Sequence, residues 1–289
     1  MSQIELIIHP ITKNLGDNFI VRRSLPDLNK KMVGPFIFWD HMGPVELNQN
    51  RPMVVRAHPH IGLATITWLF SGEIVHRDSL GNEQTIKPGE VNWMTAGKGI
   101  VHSERSQITK NKVTLEGIQL WVALPKDKEQ VEPSFYHCKE NDLPLIQQQN
   151  ISMRLIAGSY LNFKSSVPTY SDLFYLNGYA ESDSNFSKPL KESHEAALYI
   201  VSGKVKIEEQ IYEPYTMVIF KKGSVVKFEA FAESNFMFFG GECFPEDRII
   251  WWNFVATNKS LIEDAKLKWK KNEFPPVINE AEAIPLPEN

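Results

Sequence analysis

The sequence predicts an all-β protein built from two similar halves, on three observations. Short runs rich in Val, Ile, Thr, Phe and Trp recur along the 289 residues, separated by turn residues. The turn signals that bracket one such run in the first half return at the same spacing in the second. Two segments of the first half, His58-Pro59-His60 and His102-Ser103-Glu104, carry ligand-type side chains two residues apart, which in an extended strand point to the same face.

In chain order the runs are Phe36 to Trp39, Thr65 to Phe70, Val91 to Met94, Leu115 to Leu124, Leu198 to Val201, Met217 to Phe220 and Phe236 to Phe239. Strands of this length and spacing indicate a sandwich or barrel. Between Pro125 and Pro133 lies a polar stretch flanked by prolines, which reads as a linker and puts a domain boundary near residue 135. The expected domains are therefore 1–135 and 136–289.

The repeat is seen in Ser71-Gly72-Glu73 and its counterpart Ser202-Gly203-Lys204. Pro88 and Gly97 are nine residues apart, as are Pro214 and Gly223, and each pair brackets one apolar strand. In an ungapped register Phe228 and Ala230 replace His102 and Glu104, and Pro189 and Lys191 replace His58 and His60. The second half is expected to carry no metal site. His194 remains nearby, but one ligand does not hold an ion.

The tail has the clearest helix signal. Ser260-Leu261-Ile262-Glu263 reads as a capping box, Ile262, Ala265 and Trp269 share a face, and Pro275-Pro276 end the segment. This helix is expected to pack across a barrel, with Trp251, Trp252 and Phe254 nearby in the core.

Composition narrows the class. Apolar content of 42% and charged content of 23% are those of a soluble globular chain. A net charge of −4 argues against binding nucleic-acid phosphates, and the basic run Lys266 to Lys271, interrupted by apolar residues, reads as the wet face of a helix. No run of eighteen apolar residues and no basic start followed by an apolar stretch is present, so neither a membrane nor a secretory role is expected. Cys138 and Cys243 are far apart and outside any metal-type spacing, which fits reduced thiols in the cytoplasm.

Two strands carrying His58, His60, His102 and Glu104 would present four ligands to one ion. Three imidazoles and a carboxylate suit Fe, Cu, Ni, Mn or Zn, and do not suit calcium or magnesium, which take oxygen cages. A lone His-x-His is a weak signal, because buried histidines often bond backbone carbonyls. The second pair outweighs a non-metal polar cluster, since Pro88-Gly89 and the turn Thr95-Ala96-Gly97-Lys98-Gly99 provide a strand and turn to bring it back to the first.

His76, in His76-Arg77-Asp78-Ser79-Leu80-Gly81-Asn82, reads as the end of a strand and a hairpin turn, a structural role. His41 reads as a satisfied polar residue at a strand end, with a place behind a metal ligand as the alternative. His9 and His137 have no partners that the sequence identifies. Glu104 is the only carboxylate at ligand spacing, and Glu73 and Glu90, beside turn glycines, read as solvated.

Four segments together resemble the pirin family: Phe36 to Gly43; His58-Pro59-His60-Ile61-Gly62-Leu63-Ala64-Thr65; Pro88 to Glu104 with Asn92-Trp93-Met94-Thr95-Ala96-Gly97; and Arg248-Ile249-Ile250-Trp251-Trp252-Asn253-Phe254. The similarity covers nearly the whole chain. It implies a bicupin, two facing jelly-roll β-barrels, with a metal in the N-terminal barrel and none in the C-terminal one. The ligands it implies, residue by residue, are His58, His60, His102 and Glu104, and the usual ion is iron, as Fe(II). For bacterial members it implies quercetin 2,3-dioxygenase activity, with a small flavonol-like aromatic and O2 as substrates. For eukaryotic members it implies co-regulation of transcription and redox sensing through a protein partner.

One position departs from the resemblance. Many pirins and other cupins carry a glutamate four residues after the second histidine, where this chain has Ala64. A dioxygenase built on this chain is expected to use Glu104 as its catalytic base, and the alternative is an iron-dependent, redox-responsive regulator acting through protein contacts.

Overall fold

The structure is a computed structural model that describes residues 2–15 and 19–288. Each of the seven expected runs lies on a strand, apart from Leu124 just past the end of the fourth; Phe36–Leu47, Leu63–Ser71, Val91–Thr95 and Val113–Ala123 carry the first four. The chain divides into two compact units. One comprises Asp40–Glu140 and the C-terminal segment from Pro245; the other comprises Asn141–Phe244, Arg22–Trp39 and the N-terminal strand Ile4–Ile8.

The ends of the chain are thus exchanged relative to a single cut near residue 135. That position falls inside the strand Ser134–Cys138, which pairs antiparallel with Val91–Thr95. The expected linker is part of the fold: Glu129 is buried and accepts hydrogen bonds from Thr257 N at 2.8 Å and Thr257 Oγ1 at 2.9 Å. The tail stays with the first unit because Phe254, Ala256, Ile262 and Ala265 bury themselves against Ile61. At the other end Ile4–Ile8 pairs with Met217–Phe220.

In the first unit, one sheet places Ser134–Cys138, Val91–Thr95, Leu63–Ser71 and Val113–Ala123 side by side. A second sheet orders Val54–His60, Ile100–Ser106, Ile74–Asp78 and Glu83–Ile86. Leu69 and Leu115 from the first meet Ile74 and Ile86 from the second in one buried cluster with Met42, Leu47 and Met53. Burying each such side chain is worth about 1.5–3 kcal/mol, which holds the two sheets face to face as a jelly-roll barrel.

The second unit repeats the plan. The strands Leu63–Ser71 and His194–Ser202 both end in a serine followed by a glycine with positive φ, +80° at Gly72 and +75° at Gly203, where any Cβ would be strained. Its interior is aromatic, with Phe186, Phe228, Phe236 and Phe238 buried together.

Strand pairing corrects the ungapped register between the halves. His58 lies opposite His102 in the first, and Phe186 lies opposite Phe228 in the second, so Phe186 rather than Pro189 takes the place of His58. The two phenyl rings stack 4.5 Å apart where the first barrel holds imidazoles.

The expected helix spans Lys259–Lys270, with Ile262 and Ala265 buried. Its N-cap is Asn258, not Ser260: the Asn258 side chain accepts from Ser260 N at 2.9 Å, which places Ser260 inside the first turn. At the other end Asn272 turns left-handed (φ +55°), with Asn272 N bonded to Trp269 O and Glu273 N to Lys268 O. Those two bonds form a Schellman motif, so the helix ends before the two prolines are reached. No helix among the described residues is long and apolar enough to cross a membrane.

Candidate metal centre

Neighbouring strands bring the two ligand pairs together. Ile100–Ser106 lies between Val54–His60 and Ile74–Asp78, antiparallel to both, with His102 opposite His58 on one side and Asp78 on the other. The alternation read from the sequence then turns His58, His60, His102 and Glu104 inward, all buried, while Ser103 and Arg105 reach Glu280. A bulge between His102 and Glu104 shifts the register by one residue.

The ligand atoms of His58, His60 and His102 lie within 4.8 Å of one another. Glu104 falls in an adjoining group with His102 and His76 on the same criterion. His76, a weaker candidate for which the sequence favours a structural role, therefore stands beside the site. The signal was available in His76-x-Asp78, the same two-residue alternation that marks the ligand pairs.

Backbone carbonyls fix two of the imidazoles. His58 Nδ1 donates to Arg56 O at 2.8 Å and His60 Nδ1 donates to Asn253 O at 3.1 Å, so each Nε2 presents a lone pair. His60 Nε2 faces His102 Nε2 at 3.1 Å. Burial disfavours the imidazolium form, and holds His58 down to about 4 and both His60 and His102 well below the usual histidine value. Neutral imidazoles are the form that binds a metal ion, and those of His58 and His60 turn their lone pairs inward.

Burial pushes the Glu104 carboxyl above its usual value, partly offset by the nearby His76 and by Thr67. Thr67 Oγ1 lies 3.3 Å from Glu104 Oε1 and 2.8 Å from Gln119 Oε1. On the far side of His76, Asp78 accepts from His76 Nε2 at 3.1 Å and from Leu80 N and Asn82 N at 2.9 and 3.1 Å. Burial alone would raise the Asp78 carboxyl, but the bonds from His76 and Asn82 outweigh it and hold the group below its usual value. The turn chemistry expected after His76 is thus present, centred on Asp78.

His41 and His137 have structural partners. His41 is fully buried, with Nε2 3.2 Å from Glu116 Oε1, and His137 Nδ1 donates to Asn92 Oδ1 at 2.8 Å. Ala64 is buried in the strand register between Val122 and Thr95, and brings no carboxylate to the site.

The family model described as Pirin matches residues 18–122, and that of the Pirin C-terminal cupin domain matches residues 175–275. A pirin-like protein of Caulobacter vibrioides is 44% identical over 290 residues, 99% of this chain and 100% of its own. Human pirin is 30% identical over 88% of each chain. A crystal structure of quercetin 2,3-dioxygenase from Acinetobacter baumannii superposes with a TM-score of 0.92 at 30% identity, covering 99% of this chain and 96% of that one.

Proposed function

This chain belongs to the pirin family, and from that premise we propose that it is a metal-dependent dioxygenase of the quercetin 2,3-dioxygenase type. The ion is Fe(II), held by His58, His60, His102 and Glu104. The observation that carries this reading is the convergence of the His58, His60 and His102 ring nitrogens within 4.8 Å of one another, with His60 Nε2 and His102 Nε2 3.1 Å apart. His58 and His60 use their Nδ1 protons on main-chain carbonyls, so their Nε2 lone pairs are free for a cation.

The overall reaction joins a flavonol and O2, opens the heterocyclic ring and releases carbon monoxide with a depside. The bound ion supplies Lewis acidity toward the flavonol oxygens and electronic coupling to O2. Glu104 takes the proton of the flavonol 3-hydroxyl, a role suited to a carboxyl whose basicity burial has raised. Thr67 orients that carboxylate, and the buried walls around it exclude water from the electron-rich ring.

Oxygen uptake with quercetin tests the reading, using protein of measured metal content. Turnover that tracks iron and disappears after chelation and in His58→Ala supports it. A fully loaded protein without turnover would transfer the assignment to the redox-responsive regulator, the reading favoured by Ala64 in place of a second carboxylate.

A further inference from the structure

We propose that His76 and Asp78 are positioning residues that lock His102 in the tautomer whose Nε2 faces the other two imidazoles. The inference rests on the metal-centre reading above and concerns how this chain prepares His102 for the ion. His58 and His60 are fixed by main-chain carbonyls. Among the described residues no main-chain carbonyl holds the His102 ring; its Nδ1 lies 3.4 Å from His76 Nδ1.

One proton arrangement leaves His102 Nε2 free for an ion beside His60 Nε2. Asp78 is an ionised acceptor, fully buried, already receiving the main-chain N–H groups of Leu80 and Asn82 and the Asn82 amide. Facing Asp78 Oδ2 at 3.1 Å, His76 Nε2 must carry a hydrogen. With a single ring proton, His76 has a bare Nδ1 that can only accept, so His102, 3.4 Å away, carries its hydrogen on Nδ1 and leaves Nε2 free for the ion. The reverse tautomer would set the lone pair of His76 against the Asp78 carboxylate. Phe135 stacks on His76 with centroids 4.4 Å apart and planes at 15°, and this holds the ring in the plane the relay needs. Histidine ligands commonly depend on such a partner for tautomer and orientation.

The test uses full-length protein labelled with 15N-histidine, metal-free and then loaded with Zn(II). Long-range 1H–15N correlations read the tautomer of His102, and chelator competition reads Zn(II) affinity. His76→Phe keeps an aromatic ring against Phe135 but removes the acceptor; His76→Gln restores both an acceptor for His102 and a donor for Asp78. The expected result is the Nδ1–H tautomer in wild type, mixed tautomers and Zn(II) affinity about 10–100-fold weaker in His76→Phe, and recovery of both in His76→Gln. An Nε2–H tautomer in metal-free wild type overturns the proposal, as does a His76→Phe protein with unchanged tautomer and affinity. Loss of zinc in both variants, without rescue by glutamine, also overturns it and makes His76 a ligand. A wild type that binds no zinc would sink the metal-centre reading instead, while the metal-free tautomer measurement would still decide this one. Thermal unfolding of each variant separates loss of the relay from loss of the fold.

Discussion

His60 and His102 point their Nε2 atoms at each other across 3.1 Å, and each has its ring proton engaged on the opposite side, at Asn253 O and at His76. Two lone pairs at that distance repel. The strands that carry them, 54–60 and 100–106, are fixed by ladder pairing and a buried core, so the rings cannot relax apart without cost. The barrel therefore holds these nitrogens close enough together for one ion to engage both.

Zinc or nickel added to metal-free protein should accordingly raise the unfolding midpoint. An ion at a hundred times its dissociation constant adds about 2.7 kcal/mol. Calorimetric scans with and without Ni(II) check this. His60→Ala should remove the metal-dependent shift and leave the metal-free protein folded.

Glu280 provides the acid-sensitive element on the outer face of the ligand strand. Its side chain, 1% exposed, accepts from Ser103 Oγ at 3.0 Å and from Arg105, while Ser103 lies between two candidate ligands. The Arg105 bond holds the carboxyl below its usual value against the opposing effect of burial, with Ser103 adding to the Arg105 effect. The folded pKa is depressed, so the stabilisation is present above the unfolded value of about 4.5 and fades as pH falls through the folded value. Glu280→Gln should cost about 2 kcal/mol at neutral pH. In urea titrations at pH 7, 5 and 3.5 the gap to wild type should close at the lowest pH; a constant gap would show that Glu280 acts by packing alone.

The residues of the candidate centre were legible because strand geometry has a short period. His58 and His60, and His102 and Glu104, each needed only the two-residue repeat to be assigned to one face, and the repeat in Gly72 and Gly203 disclosed the second barrel. What was hidden is non-local. That Ile74–Asp78 flanks the ligand strand, bringing His76 opposite Glu104, is a matter of strand order, which spacing does not encode. The exchange of chain ends depends on pairing between residues over 200 apart, such as Ile4 with Phe220. For the helix, Asn258 and Ser260 are both good caps, and only the extended backbone at Asn258 (φ −116°, ψ 126°) decides between them.

Gly62 fixes the turn that follows His60. Its φ is +69°, and a Cβ there would fall 1.9 Å from Val255 O, a main-chain atom with no room to move. Its N–H bonds Gly97 O at 2.9 Å and its carbonyl accepts from Leu124 N at 3.0 Å, so the turn is tied on both sides. Gly62→Ala should destabilise the protein by more than about 3 kcal/mol, combining left-handed strain with overpacking. Chemical denaturation measures the loss, and a change below about 1 kcal/mol would mean that the turn rearranges freely.

Glu104 and Thr67 should separate when each is changed. Glu104→Gln keeps an oxygen for the ion but removes the base, so turnover of quercetin should fall by about 10²–10⁴ while bound metal stays near wild type. Thr67 has one hydroxyl proton and two acceptors in reach, Glu104 at 3.3 Å and Gln119 at 2.8 Å. If the Gln119 amide is turned so that its NH2 faces Thr67, that proton is free for Glu104, and amide orientation is an assignment the hydrogen-bond network decides. Thr67→Val should then lower kcat about tenfold with KM little changed, because it misaims the carboxylate without removing it. Gln119→Glu places a second acceptor against Thr67 and should draw the proton away from Glu104, giving a similar loss. Unchanged kcat in Thr67→Val together with a full loss in Glu104→Gln would mean that the carboxylate is aimed by the ion alone, and that the hydroxyl serves the barrel wall.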